Sequence, residues 1–262
     1  MTETELLFSH VLGCLRPDLY LNKEKYLNQQ EADFISSALK RRIAGEPIQY
    51  ILGSTEFMGL EIKVNRDVLI PRPETEILVE TAIEFIEKEK PGRALDLGTG
   101  SGCIAVALFK NLADLEIDAS DISDKALAVA RQNSGLNGSR INFIKSDLFG
   151  DLKYSDYGII ISNPPYIPRA EIKKLQPELQ FEPEIALSGG NDGLDFYRRI
   201  ILGASDYLKE NGLLIMEIGF GQKKDLELIF ERSKSIKVVR IVKDYNNIER
   251  VIVARKANKW IN

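Results

Sequence analysis

Residues 94–102 read Ala-Leu-Asp-Leu-Gly-Thr-Gly-Ser-Gly, an apolar strand-like run that ends in a glycine-rich loop. A helical run that carries Ile104, Ala105 and Leu108 follows directly. Glycine permits positive φ angles and lets a ligand approach the main chain, and the free amides at a helix start offer hydrogen bonds. The stretch therefore predicts a strand, a helix and, between them, a ligand loop formed by Gly98, Thr99, Gly100, Ser101 and Gly102.

Outward from this loop, strand-like and helical runs alternate from Pro73 onward. The predicted strands are 94–97, 117–120, 141–144, 158–162, 212–218, 237–242 and 250–254. The predicted helices begin near Glu74, Ser101, Lys125, Leu194 and Gln222. Such alternation is typical of an α/β fold with a mostly parallel sheet covered by helices on both faces. The last two strands have no helix between them, which predicts an antiparallel pair.

The first 70 residues have a different pattern. Apolar residues recur at helical spacing in two runs, at Leu7, Val11 and Leu15 and then at Ile35, Leu39 and Ile43. Gly45 and Pro47 end the second run, and residues 55–69 alternate apolar and turn residues as in a hairpin. We expect a small all-α domain over 1–52, a β-hairpin linker over 53–70 and the α/β domain over 71–262.

Composition narrows the classes of function. The 262 residues carry a net charge of −4 and have a pI near 5.4, so no overall charge attracts nucleic acid or an anionic membrane. No apolar run approaches the roughly 20 residues of a membrane span, and Glu3 and Glu5 replace the basic start of a secretion signal. We expect a cytoplasmic protein. One histidine, His10, and two distant cysteines give no recognisable metal spacing, so no metal is expected.

Two further strand ends carry carboxylates that suit a nucleoside. A dinucleotide-binding fingerprint would need a glycine at 103, where this chain has Cys103. Asp121 ends the second predicted strand, where a carboxylate can accept hydrogen bonds from both ribose hydroxyls. Asp147 ends the third, and with Leu148 and Phe149 it could frame an adenine. Parallel strands bind ligands beyond their carboxyl ends, so these residues predict one site.

The fourth predicted strand runs into Asn163-Pro164-Pro165-Tyr166. Prolines have no backbone donor, so neighbouring carbonyls are left free as acceptors. If the Asn163 side-chain oxygen and the Pro164 carbonyl each accept one N–H of a planar amide or amine, its nitrogen turns its π face toward an incoming methyl group. Tyr166 can stack on that planar acceptor. The rate effect would then come from positioning and polarisation, without an ionised base.

The glycine loop, Asp121 and the Asn-Pro-Pro-Tyr motif resemble the class I S-adenosylmethionine-dependent methyltransferases, whose fold is Rossmann-like. Further residues resemble the HemK/PrmC family over most of the chain: Arg42, Gly45-Glu46-Pro47, Gln49-Tyr50, Phe57, Gly59, residues 69–76, Ala186-Leu187 and Gly193-Leu194. That family methylates the glutamine of the Gly-Gly-Gln motif in class 1 peptide chain release factors. The resemblance implies the cofactor S-adenosylmethionine, a release factor as protein substrate and a role in translation termination.

The resemblance also assigns residues. It implies that residues 98–102, Asp121, Leu148 and Asn163 contact the cofactor, and that residues 163–166 hold the glutamine. Position 148 is often aromatic in that family and is leucine here, which weakens the adenine assignment at this position. Asn163, Pro164 and Tyr166 are the residues to which catalysis is assigned.

The segment 71–76, Pro-Arg-Pro-Glu-Thr-Glu, has two readings that can both hold. Pro73 suits the first turn of a helix, and Glu74 and Glu76 suit the positive end of its dipole. The segment could equally line the active site.

Other substrates remain open. An adenine amine presents almost the same donor pair as a glutamine amide, but residues 1–70 hold eight Lys or Arg against ten Asp or Glu, so they form no basic track for DNA or RNA. A ribosomal protein glutamine would fit the same transfer site, and substrate recognition would then rest with the helical domain. A noncatalytic binding module is disfavoured because both halves of a transfer site are present. We expect a monomer that binds no nucleic acid directly.

Overall fold

The computed structural model describes residues 2–21, 26–112 and 114–257. Four helices open the chain: α1 (Glu3–Leu12), α2 (Arg16–Leu21), α3 (Gln29–Ile43) and α4 (Ile48–Leu52). Thr2 and Asn28 cap α1 and α3 with reciprocal capping boxes, which satisfy amides that would otherwise lack partners. Helices α1, α3 and α4 share a small core of their own, formed by Leu7, Ile35, Ala38, Ile48 and Ile51.

A two-stranded antiparallel hairpin follows, with β1 (Ser54–Phe57) and β2 (Leu60–Lys63) joined at Met58 and Gly59. Both turn residues have positive φ, which matches a tight hairpin connection. Asn133 fastens the hairpin to the rest of the molecule. Its side chain accepts from the Lys63 amide at 2.7 Å and donates to the carbonyls of Lys63 and Ser101 at 2.9 and 2.8 Å. The Asn133 side chain therefore bridges the hairpin and the glycine loop.

The remaining strands form one seven-stranded sheet in the order β5-β4-β3-β6-β7-β9-β8. Their bounds are β3 (Arg93–Leu97), β4 (Glu116–Asp121), β5 (Asn142–Lys145), β6 (Tyr157–Ser162), β7 (Leu208–Glu217), β8 (Ile236–Lys243) and β9 (Glu249–Lys256). The first five pair in parallel, and β9 is antiparallel to both of its neighbours. The predicted fold class and antiparallel last pair are confirmed.

Helices lie along the strand connections. They are α5 (Pro73–Glu89), α6 (Cys103–Asn111), α7 (Asp124–Leu136), α8 (Arg169–Ile172), a 3-10 helix (Pro177–Phe181), α9 (Glu184–Leu187), α10 (Asp195–Tyr207) and α11 (Lys223–Ser233). Alternate residues of the central strands divide between two cores, so Ile159 and Ile161 face one side and Ile160 the other. Within the described ranges, no helix has the length and apolar character to cross a membrane.

The apolar faces predicted for the N-terminal helices are only partly right. Leu7 and Ile35 are buried, but Leu39 is 50% exposed, Ile43 is 87% exposed and Leu15 lies beyond the end of α1. The buried side of α3 is instead the one that carries Ile35 and Ala38, because the small core lies on that side. The division of the chain at residues 52 and 70 stays a prediction.

Candidate active site

The glycine loop leaves β3 at the carboxyl edge of the sheet and enters α6. The amides of Gly98 and Thr99 donate to the Ser120 carbonyl at 2.9 and 2.8 Å, so the loop is fixed to the end of β4. Gly98 and Gly100 have φ of 77° and 54°, and a Cβ on either would meet no atom within 4 Å. These two glycines therefore serve the backbone conformation and the open space beside it. Gly102 differs, because a Cβ there would lie 3.0 Å from that of Ala130 in α7.

Asp121 lies at the end of β4 and faces the loop. One carboxylate oxygen accepts from the Gly100 amide and the other from the Ser123 amide, both at 2.9 Å. Burial raises the pKa of Asp121, and these backbone donors act against that rise. Each oxygen keeps a second lone pair, so the carboxylate is oriented and still able to accept hydroxyl groups.

A cavity lies between this loop and the ends of β4, β5 and β6, and it is lined mainly by apolar surface. Four of the five loop residues predicted to bind a cofactor line this cavity. The fifth, Gly102, packs on α7 instead. Asp121, Asp147, Leu148 and Asn163 also line the cavity. The lining residues that the sequence did not single out include Val68, Ile122, Phe196 and Arg199.

The part of this cavity near Leu148, where the sequence predicts adenine, differs in two respects from that prediction. Phe149 faces away, because its ring stacks on Tyr207 with centroids 4.7 Å apart in the second core. Another apolar residue that lines the cavity with Leu148 is Ile122, which is 47% exposed although it follows a buried strand. Asp147 is exposed and accepts from Arg199 at 2.8 Å at the rim of the cavity. The exposure of an isoleucine just after Asp121 suits a planar apolar ligand group.

The Asn-Pro-Pro-Tyr segment forms the far wall. The Ser162 hydroxyl donates to the Leu97 carbonyl at 2.6 Å and so holds the end of β6 against β3. The side-chain amide of Asn163 donates through Nδ2 to the Thr75 hydroxyl at 3.1 Å. Neither Oδ1 of Asn163 nor the carbonyl of Pro164 accepts a hydrogen bond from any described residue. Two free acceptors therefore lie where the sequence predicted them.

A second pocket adjoins the first and shares with it Leu69, Asn163, Pro164, Pro165 and Ala186. Tyr166 lines only this second pocket. Its other walls come from Arg72, Glu74, Ile167, Leu179, Leu187, Glu217 and Arg250. The segment 71–76 contributes to both pockets and also starts α5, with Pro73 in the first turn. The segment therefore starts a helix and lines both pockets, and its part in an active site stays a prediction.

Glu217 ends β7 beneath this second pocket and was not predicted. It is 1% exposed, and its Oε2 accepts from the Thr75 hydroxyl at 2.7 Å. Its Oε1 accepts from the Tyr166 hydroxyl at 3.4 Å, a weak contact. Burial raises the pKa of Glu217 to about 7, and the Thr75 hydrogen bond opposes that rise. Burial also raises the pKa of Tyr166, so its phenol is protonated at neutral pH.

Known proteins match nearly the whole chain. Residues 1–53 match the PrmC N-terminal domain and residues 74–178 the methyltransferase small domain. A release factor glutamine methyltransferase of Thermodesulfovibrio yellowstonii is 43% identical over 259 residues, which are 97% of this chain and 92% of the relative. The chain belongs to the release factor glutamine methyltransferase family. A family member of Geobacter sulfurreducens is 42% identical over 97% of this chain and 88% of its own length.

Solved structures agree on the fold. A methyltransferase from Pyrococcus furiosus superposes with a TM-score of 0.57 at 16% identity, over 88% of this chain and all of the other. A ribosomal protein L11 methylase from Lactobacillus delbrueckii superposes with a TM-score of 0.54 at 22% identity, over 71% of this chain and 81% of the other. At these identities the likeness concerns the fold alone. Family membership confirms the resemblance seen in the sequence, and the chain is a methyltransferase.

Proposed function

We propose that this protein transfers a methyl group from S-adenosylmethionine to the side-chain amide nitrogen of the glutamine in the Gly-Gly-Gln motif of class 1 peptide chain release factors. The names of the relatives support a release factor glutamine as the substrate, and the two adjoining pockets offer a site for the cofactor and for that glutamine. Because release factors act at cytoplasmic ribosomes, the proposal places the reaction in the cytoplasm. It takes the monomer as the working unit, since one chain forms both pockets.

The observation that carries the proposal is the position of Asn163 between the two pockets. Its Nδ2 is engaged by Thr75 on one side, so its Oδ1 faces away from Thr75 and is free to accept. The Pro164 carbonyl is a second acceptor in the same segment. A primary amide has two coplanar N–H donors, which is the pattern that two such acceptors fit.

The cofactor pocket fits S-adenosylmethionine on its own residues. Gly98 and Gly100 keep the loop backbone open to a ligand, Asp121 offers its carboxylate to two ribose hydroxyls, and Ile122 and Leu148 are apolar walls for adenine. When bound there, S-adenosylmethionine supplies an electrophilic methyl group on a sulfonium.

The protein's own part in the reaction is orientation. Asn163 Oδ1 and the Pro164 carbonyl accept the two N–H groups, which fixes the plane of the amide and raises electron density on its nitrogen. With S-adenosylmethionine bound, the nitrogen would form the new bond to the methyl carbon as the carbon–sulfur bond breaks, and the sulfur would keep that electron pair. The nitrogen then releases one proton to solvent. Tyr166 closes the acceptor pocket beside this plane.

A competition assay tests the substrate. Radiolabelled S-adenosylmethionine is offered with a purified release factor, the same factor carrying alanine in place of the motif glutamine, a ribosomal protein and adenine-containing DNA. We expect label on the intact release factor alone. Label on DNA or on the ribosomal protein would keep the fold and the cofactor but overturn the proposed substrate.

A further inference from the structure

Three side chains form a hydrogen-bonded chain from the interior to the transfer site. Glu217 is buried at the end of β7, Thr75 lies in the first turn of α5 with 2% exposure, and Asn163 follows β6. The Glu217–Thr75 distance is 2.7 Å and the Thr75–Asn163 distance is 3.1 Å. Resting on the proposed function, we infer that Glu217 is a positioning residue, which acts through Thr75 to turn the Asn163 side-chain oxygen toward the acceptor amide.

The direction of each hydrogen bond follows from the chemistry of the groups. An ionised carboxylate can only accept, so the single hydroxyl proton of Thr75 is committed to Glu217. The Thr75 oxygen can then only accept from its other neighbour, and Asn163 must present its NH2 group there. The charge on Glu217 thereby selects one of the two amide orientations of Asn163.

Protonation of Glu217 allows the direction of both hydrogen bonds to reverse. A neutral carboxyl group can donate to Thr75, which frees the Thr75 proton to point at Asn163. Asn163 can then turn over, present Oδ1 to Thr75 and place its NH2 group against the donor N–H of the substrate. Two donors facing each other lose the polarising contact. Transfer therefore requires the ionised form of Glu217.

The surroundings bring this ionisation into the neutral range. Burial is the largest influence and raises the pKa of Glu217 to about 7. Three ionisable or charged groups face it from other elements: Glu74 in α5 raises the pKa, and Arg250 in β9 and the Tyr166 hydroxyl lower it. Tyr197 in α10 donates to the Glu217 backbone carbonyl at 2.9 Å and fixes the end of β7.

Helix α5 offers a matched pair of variants. Thr75→Val removes the connecting hydroxyl, and Thr81→Val removes a hydroxyl that is also buried but donates at 2.7 Å to the Ile77 carbonyl of the same helix. We expect Thr75→Val to lower kcat by about tenfold or more with the cofactor Kd within about twofold, and Thr81→Val to leave kcat unchanged. Thr75→Ser keeps the hydroxyl and should restore most of the activity.

The pH dependence of kcat distinguishes a positioning role of Thr75 from a purely structural one, because a structural role would not change the inflection. In the wild type, kcat should rise with pH through an inflection near 7, as set by Glu217. That inflection should disappear in Thr75→Val and in Glu217→Gln. Equal kcat in Thr75→Val and Thr81→Val, with the inflection retained, would overturn the inference.

A measurement made without release factor tests the positioning role of Glu217 independently of the proposed substrate. The side-chain amide signal of Asn163, assigned by its loss in Asn163→Ala, should shift with pH in the wild type and stay constant in Thr75→Val. If the wild type methylates no release factor but this titration is present, the proposed substrate fails and the positioning role stands. A signal that is independent of pH in the wild type would refute the role whatever the substrate.

Discussion

Asp121→Asn is the sharpest perturbation of the cofactor site, because it changes one atom of a residue whose partners are known. Both carboxylate oxygens accept backbone amides, from Gly100 and from Ser123, at 2.9 Å. Asparagine has one acceptor oxygen, so its NH2 group must face one of these donors and cannot accept one ribose hydroxyl. A hydrogen bond to a charged group contributes about 1.5–3 kcal/mol. We therefore expect binding to weaken by about 2–3 kcal/mol, or about 30- to 150-fold in Kd.

Isothermal titration with S-adenosylmethionine measures this loss directly. The matched control is Asp124→Asn, which removes the charge of an exposed residue in the first turn of α7 whose partner is Lys145, outside the cavity. The control should bind within about twofold of the wild type. If Asp121→Asn also binds within twofold, Asp121 does not hold the ribose and the orientation assigned to the cofactor is wrong.

Three other substitutions test the role of Asn163 in turnover, the packing of Gly102 and the raised pKa of Glu217. Asn163→Ala should lower kcat by about 100-fold with little change in cofactor Kd, and unchanged single-turnover rates would remove its polarising role. Gly102→Ala, with φ of 81° and a Cβ 3.0 Å from that of Ala130, should lower the free energy of unfolding in urea by about 2–4 kcal/mol. Glu217→Gln should gain stability over the wild type as pH rises from 4.5 to about 7, by up to about 3 kcal/mol; parallel stability curves would contradict the raised pKa.

The sign of the last effect follows from the pKa of Glu217. The unfolded chain releases this proton near 4.5 and the folded chain near 7, so the folded state binds more protons between these values. Wild-type stability therefore contains a term that falls as pH rises through this window and is constant above it. Glutamine cannot ionise, so the variant lacks that term.

The sheet and the glycine loop could be predicted because the sequence features that indicate them lie within short stretches of the chain. Parallel strands buried on both faces are continuous apolar runs such as Ile159, Ile160 and Ile161, and a loop with positive φ at three positions needs glycine. The carboxyl ends of parallel strands share one edge, which brought Asp121 and Asn163 into one predicted site.

The acceptor pocket could be predicted only in part, because its contacts join distant parts of the chain. Thr75 and Glu217 are 142 positions apart, and no local pattern links the two residues. One signal was available: Glu217 lies inside the last predicted parallel strand, 212–218, near the carboxyl end where ligands bind.

The buried faces predicted for the helices of the first 52 residues were partly wrong for a different reason. Leu39 and Ile43 have the spacing of a buried stripe but are exposed, since the small core uses the side of α3 with Ile35 and Ala38. This core has five buried apolar side chains among the described residues, which is too few to cover every apolar residue of its helices.

The position of the transferred methyl group tests the central claim most directly. A release factor is incubated with the protein and S-adenosylmethionine, digested, and mapped by tandem mass spectrometry. We predict one added methyl group on the side-chain nitrogen of the Gly-Gly-Gln glutamine, and none when Asn163→Ala replaces the wild type. A methyl group on any other residue, or on the glutamine at an equal rate with Asn163→Ala, would contradict the account.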